Sequence, residues 1–324
     1  MSGDTDVTDV QECLPADMRG PGTVITRITA GLSGAGVWRV DAPGCLPVAL
    51  KVWSHDESLS MFRRSLRVLR RATVAGLAPG ILHVDEERRA VVSAFVSGSF
   101  PALLGNPATR ATTLARVAQT LRRVHALPLD VSAEGAPEPR TLLGDAWGRL
   151  IDSGAPLPPY VSETVEHTLT LDIPPRDRPL VLSHNDVNPG NFVVDGDRLL
   201  LVDWDHAVPN DPFFDLATVA VFLALDDDAS ARLLGTYDGV EMCALPARFM
   251  YVRQVIATLS GVTFLNLAAA RGLSTTILPD SLDRALPLVE FYQRLRTGGV
   301  DLGTAEGLST FGLSLLRASV PQLR

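Results

Sequence analysis

The segment His184-Asn-Asp186-Val-Asn-Pro-Gly-Asn191 lies between two short apolar runs, Leu180-Val-Leu-Ser183 and Phe192-Val-Val194. A third run, Leu199-Leu-Leu-Val202, ends in Asp203-Trp-Asp205, and the Asp195-Gly-Asp197 turn before it predicts a hairpin. Loops at strand ends are where a scaffold can aim polar side chains. A carboxylate in such a loop, an amide five residues on and a second carboxylate at a nearby strand end suit phosphoryl transfer. That chemistry needs a group to orient the attacking oxygen and hard oxygen ligands for Mg2+ on the nucleotide phosphates.

A second constraint comes from what the chain leaves out. Of its 29 basic residues, all but Lys51 are arginine. A site that keeps lysine wants a compact ammonium on a flexible stem, which guanidinium does not supply. Lys51 sits in Val48-Ala-Leu-Lys-Val52, a strand-like run downstream of the Gly-rich turn Gly31-Leu-Ser-Gly-Ala-Gly36.

The first part of the chain reads as strands: Thr23–Thr29, Val37–Asp41, Val48–Trp53, Gly80–Asp85 and Ala90–Val96, with one helix from Leu59 to about Gly76. Ser97-Gly-Ser-Phe-Pro101 reads as a linker. Beyond it the period becomes helical over Ala108–Ala126, near Leu142–Ile151, near Val161–Leu169, and from Phe213 onward. The expected organisation is a frayed terminus over 1–20, a β-rich lobe over 21–97 and a mostly helical lobe over 98–324.

The residues from His184 to Asn191, Leu201-Val-Asp-Trp-Asp-His206, and Asn210-Asp-Pro-Phe-Phe-Asp-Leu-Ala217 together resemble the aminoglycoside phosphotransferase and choline kinase family. The resemblance covers roughly residues 25–300 and is strongest over 180–220. It implies an α+β, two-lobed, protein-kinase-like fold, with ATP and Mg2+ as cofactors and a small-molecule alcohol as acceptor. Choline-like amino alcohols and aminoglycosides are both open. Carried over by position, Asp186 would be the catalytic base, Asn191 and Asp203 the metal ligands, and His184 a brace for the loop. Asp215 would support the loop from below. Lys51 would pair with the nucleotide phosphates, the turn at Ser33 and Gly34 would cover them, and the strand at Ser93 and Phe95 would meet adenine.

One departure stands out. Family members place a Glu on the helix after the lysine strand to hold that lysine, and here the aligned position falls near Ser65 in Phe62-Arg-Arg-Ser-Leu-Arg-Val-Leu-Arg-Arg71. Asp56 and Glu57, before the helix, are the nearest acids. The departure motivates a second reading, a nucleotide-binding protein with impaired turnover. A third is a metal-dependent phosphoesterase using His184, Asp186, Asp203, Asp205 and His206. The arginines of the helix are expected to form a solvated face. Trp147, Tyr237, Tyr251 and Tyr292 are weighed as acceptor-pocket aromatics against ordinary packing, and Asp226-Asp-Asp228 as a lure for a cationic substrate against a solvated helix end.

Bulk properties narrow the classes. With 46% hydrophobic residues and a net charge of −8, the chain can bury a large core and lacks the clustered cations that nucleic acid demands. Three scattered cysteines argue for a reducing cytoplasm. The polar N-terminus has no signal-like apolar stretch, and the longest apolar run, Ala217 to Leu225, is too short for a membrane span. No membrane partner is expected, and oligomeric state is not legible.

Overall fold

The structure is a computed structural model describing residues 7–28, 36–129, 134–274 and 278–320. In chain order the elements are α1 (Val7–Glu12), β1 (Val24–Arg27), β2 (Gly36–Asp41), β3 (Val48–Val52), α2 (Leu59–Val74), β4 (Ile81–Asp85), β5 (Ala90–Ala94), β6 (Gly98–Ser99), α3 (Phe100–Gly105) and α4 (Pro107–His125). There follow α5 (Pro139–Asp152), α6 (Pro159–Thr170), β7 (Val181–Ser183), β8 (Phe192–Asp195), β9 (Arg198–Leu201), β10 (Val208–Asn210) and α7 (Pro212–Phe222). The chain continues through α8 (Asp227–Asp238), α9 (Ala247–Ala269), α10 (Leu288–Arg296) and α11 (Ala305–Ser319). It divides into two compact units, residues 1–128 with 184–207, and residues 129–183 with 208–324. The expected boundary at 97/98 falls inside the first of these. The segment His184–Ala207 thus belongs with the sheet, although the strands on either side of it, β7 and β10, pair with each other in the second unit.

In the first unit, five antiparallel strands lie in the order β1-β2-β3-β5-β4. Alternation along β3 assigns its side chains to opposite faces. Val48 and Leu50 join Trp38, Val40, Ala90 and Val92 in one core. Val91 joins Trp53, Phe62 and Leu66 in the other, against α2. Lys51 stands opposite Val37 and Val91 in the ladder, so it projects on the α2 side. Ser58 caps α2 by accepting from the Met61 N–H, and Gly76 ends it with φ +65°.

The N-terminal segment differs from expectation. From Val7 onward it is ordered, and Val10, Cys13 and Leu14 are buried in the core of Trp38, Val40 and Leu50. Val10 lies in α1, and Cys13 and Leu14 follow its last residue and continue the same apolar side through the turn. The Arg88 guanidinium donates to the Glu12 carboxylate and Arg19 donates to the Leu14 carbonyl, which fixes the C-terminal end of the helix.

A second, three-stranded sheet of β6, β8 and β9 carries the hairpin between Asn191 and Asp203. Its two-residue turn contains Gly196 at φ +57°. Gly98 is obligatory in β6, since a Cβ there would lie 2.0 Å from the Val194 carbonyl oxygen. Phe100 stacks on Phe192 at 4.7 Å, tying α3 to β8.

The second unit is mostly helical around α9. That helix is 23 residues long with a mean hydropathy of 1.3, enough by length and composition to cross a membrane. Thirteen of its residues are buried, and it packs on α5, α7 and α11. This is the pattern of a central core helix, apolar all round. Gly261 and Gly312 let α9 and α11 approach closely, because a Cβ on either would come within 2.8 Å of the other's carbonyl oxygen. Buried Arg248 holds the start of α9, donating to Asp211 at 2.8 Å and pairing with Glu138 at 2.6 Å. Tyr251 and Tyr292, weighed as pocket aromatics, have buried hydroxyls. Tyr292 packs beside Phe291 and Phe311, and both belong to the core of this unit.

Candidate active site

The loop after β7 begins with His184, fully buried. Its Nε2 meets the Val202 carbonyl at 3.0 Å and must donate there, because a carbonyl only accepts. Its ring packs edge-on to Trp204, with centroids 4.7 Å apart. Trp204 in turn donates its indole N–H to the Leu201 carbonyl. His184 therefore ties the loop to the end of β9, as expected of a brace, and that nitrogen is committed away from metal binding. Two further bonds lock the same junction, Val202 N–H to the Asn191 carbonyl at 3.0 Å and Leu201 N–H to the Leu77 carbonyl at 2.8 Å.

Asp186 lies between two asparagines. The Asn191 amide donates to its carboxylate and to its backbone carbonyl, each at 2.8 Å. Asn188 donates to the other carboxylate oxygen at 2.9 Å and accepts from the Gly190 N–H. Asn188 was not singled out from sequence; an amide two residues after a functional Asp is the only signal that would have found it. Burial pushes the Asp186 carboxyl above its ordinary value, partly offset by the Asn188 hydrogen bond.

Across from this loop, Lys51 Nζ lies 2.7 Å from Asp203 Oδ1 and 2.6 Å from Asp205 Oδ2. It also sits 4.6 Å from the centroid of the Trp53 ring. Burial alone would depress the ammonium, but Asp205 and then Asp203 overcome it and hold it above its usual value. Two carboxylates share one cation, so they do not ionise alike. Burial works against the charge on Asp203, yet Lys51 keeps it below the carboxylate range, while burial and the neighbouring charge push Asp205 up. Asp203 has φ +66° and Asn185 has φ +63°, left-handed backbone that non-glycine residues seldom adopt. Asn185 is held there by donating to the His206 carbonyl at 2.9 Å.

The acid expected on α2 is absent, and its aligned position is occupied. Ser65 is buried, donates to the Asp205 carbonyl at 3.4 Å and lines a small cavity with Lys51, Trp53, Leu69, Asp203, Trp204 and Asp205. The cavity measures about 30 Å³, room for a water. Asp56 instead takes the Ser54 hydroxyl. Arg89 donates to the carbonyls of Ser54, His55 and Glu57 and so fixes the whole β3–α2 loop. The arginines at 63, 67, 70 and 71 are exposed.

The other expected nucleotide residues divide. Ser33 and Gly34 lie outside the described residues. Ser93 stands within the ladder, paired with Ala49 and Ile81. The Phe95 N–H is already engaged with the Pro47 carbonyl at 3.1 Å, and Arg39 stacks over its ring. Asp215 is fully buried in α7.

The residues fit a magnesium-nucleotide in a specific way. Among the described residues no three His, Cys, Asp or Glu side chains are grouped to hold a metal by themselves. Mg2+ is usually held by one or two carboxylates together with substrate phosphates, not by an all-protein cage. The Asn191 oxygen, Asp203 and the partnerless buried Asp205 Oδ1 are hard donors of that kind.

The family model described as the phosphotransferase enzyme family matches residues 24–242. The chain belongs to that family. The match takes in Lys51, the segment from His184 to Asp205 and α7. A LicA protein of Haemophilus influenzae is 43% identical over 54 residues, 17% of this chain and 20% of that protein. The aligned stretch thus spans about a fifth of the curated relative. Among solved structures, a choline/ethanolamine kinase family protein from Mesorhizobium loti is 20% identical with a TM-score of 0.60, covering 98% of this chain and 99% of that one. A spectinomycin phosphotransferase in complex with ADP and spectinomycin is 12% identical with a TM-score of 0.54, covering 90% and 93%. The α+β fold of this family member is therefore kinase-like, with a five-stranded sheet and a helical part.

Proposed function

We propose that this phosphotransferase-family chain moves the γ-phosphoryl group of ATP to a hydroxyl of a small molecule. The observation that carries the reading is the meeting of Lys51 with Asp203, residues 152 apart in sequence and 2.7 Å apart in space. It joins a cation suited to nucleotide phosphates to a carboxylate suited to Mg2+ in one site.

In this reading Asp186 accepts the proton of the acceptor hydroxyl. The oxygen attacks the γ-phosphorus, the bond to the β,γ-bridging oxygen breaks and ADP leaves. The two asparagine amides fix the carboxylate so that it is aimed before the acceptor arrives. Lys51 neutralises phosphate charge. Asn191 and Asp203 would hold Mg2+, which supplies charge neutralisation on the phosphates. An amino alcohol of the choline type and an aminoglycoside-type acceptor are the classes favoured by the names of the fold neighbours. The missing helix acid no longer favours a protein with impaired turnover, because Lys51 has two carboxylate partners. A phosphoesterase using His184 as a ligand is disfavoured by that residue's bond to Val202.

The test is ADP release across amino alcohols, aminoglycosides, vitamins and sugars. Release that requires both Mg2+ and one acceptor class supports the proposal. Phosphate release from simple monoesters without ATP would overturn it.

A further inference from the structure

Lys51 has two carboxylate partners, and the two cannot serve it equally once nucleotide is present. Asp203 is the better placed for metal by motif, and a carboxylate oxygen turned to Mg2+ is lost to the ammonium. The helix offers no replacement. Ser65 is neutral, and Arg89 holds the Ser54–Glu57 loop by its carbonyls. Asp205 remains. Its Oδ2 lies 2.6 Å from Nζ, and its side chain is 17% exposed. Its backbone carbonyl accepts from Ser65, so α2 grips the residue that grips the lysine. The Trp53 ring lies against the same ammonium, 4.6 Å from its centroid.

We propose that Asp205 is the positioning residue for Lys51, substituting for an acid on α2, and that Asp203 gives up the lysine when metal and nucleotide bind. This rests on the phosphotransferase reading above. Lys51 has three N–H donors. One stays on Asp205, and those freed by Asp203 turn to phosphate oxygens. A corollary is that the lysine is held from within the Asp203-Trp-Asp205 segment, and α2 contributes through a neutral hydroxyl and packing instead of a charge.

The test compares the wild type with Asp205→Glu, Asp205→Asn and the double variant Asp205→Asn/Ser65→Glu, which restores an acid on the helix beside the same cavity. All are made in an Asp203→Asn background, which stands for the state in which Asp203 has left the lysine, and ADP affinity is measured in EDTA, without metal. Asp205→Asn should weaken it about tenfold, the scale of one charge-assisted hydrogen bond. Asp205→Glu should keep most of it, and the double variant should recover it. An Asp205→Asn variant that binds metal-free ADP as tightly as its Asp203→Asn parent, losing affinity only when Mg2+ is added, would overturn the proposal and make Asp205 a metal ligand. Failure of the double variant to recover would also count against it.

The second readout needs no nucleotide. Because the chain has one lysine, 15N-lysine labelling gives one Nζ resonance. In the Asp203→Asn background the protected ammonium signal should be present with Asp205, lost in Asp205→Asn and restored by adding Ser65→Glu. An unchanged signal in Asp205→Asn overturns the proposal. If the wild type binds no ADP at all, the phosphotransferase reading fails, and this signal still decides what holds Lys51.

Discussion

The side-chain amide nitrogen of Asn191 donates at 2.8 Å to both the carboxylate and the backbone carbonyl of Asp186. Both partners are acceptors, so the amide can face them only with its NH2, and its oxygen is left for a cation. Asn191 therefore has two separable tasks. Asn191→Asp keeps a hard oxygen but has no N–H to give and sets a second charge against Asp186. Its Mg2+ requirement should stay close to wild type while kcat falls about 100-fold. Asn191→Ala should lose both. Equal kcat in wild type and Asn191→Asp, measured at saturating Mg2+ and ATP, would show that the amide does not aim the carboxylate.

Asp186 must be ionised to accept a proton, and burial holds its carboxyl above the usual aspartate range. The rate should fall as the pH drops through that raised value, so the acid limb of kcat lies above the roughly pH 4 of an ordinary carboxylate. Asn188 donates to the ionised form, and Asn188→Ala removes that support. The limb should then move to higher pH, with the plateau rate less affected. Asp186→Asn should lower kcat about 100- to 10,000-fold at every pH. A limb that does not move in Asn188→Ala would detach Asp186 from the pH dependence.

Lys51→Met leaves Asp203 and Asp205 facing each other without their cation. Both side chains are mostly buried, at 19% and 17% exposed. Losing one partner of a buried ion pair costs on the order of 3 kcal/mol, and partial exposure brings the expectation toward about 2 kcal/mol. Metal-free thermal unfolding should show the loss. Added Mg2+ should recover part of it, since the ion supplies the missing charge and binds only the folded form. A variant as stable as the wild type in EDTA would contradict the pairing.

The segment from α1 through Leu14 is a structural part of the sheet unit. Leu14 is fully buried, so Leu14→Ala should cost about 2–5 kcal/mol by urea unfolding. Leu46, 85% exposed, is the control, and Leu46→Ala should stay within about 0.5 kcal/mol. Equal effects would mean that the segment from α1 through Leu14 does not contribute to the core.

The strands and long helices were readable because their periodicity is local. The β2–β3–β5 alternation and the α2 spacing each declare a buried face within a dozen residues. The loop from His184 to Asn191 stood out for a different reason: its spacing matches a phosphoryl-transfer pattern. What escaped was short or distant. Six residues of α1 in a polar stretch carry too little pattern to stand out, and only the apolar sheet face makes the helix worth forming. The lysine's partners escaped because the motif pattern assigns one acid to the metal and looks to the helix for the other. Asp205 lies 154 residues from Lys51, and no local rule pairs them. Arg89, which fixes the β3–α2 loop through three carbonyls, has φ +51° at the tight β4–β5 turn and gave no signal in sequence.

The backbone at Asp203 limits which residues the position can accept. A left-handed φ of +66° suits glycine, asparagine and aspartate, and costs most other residues roughly 1–2 kcal/mol. Of those three, glycine has no ligand to offer and asparagine has no charge to set against Lys51 or a divalent cation. Conformation and charge are independent filters, and aspartate alone passes both. Substitution here therefore has no conservative direction: asparagine keeps the shape and loses the charge, and glutamate keeps the charge and strains the chain.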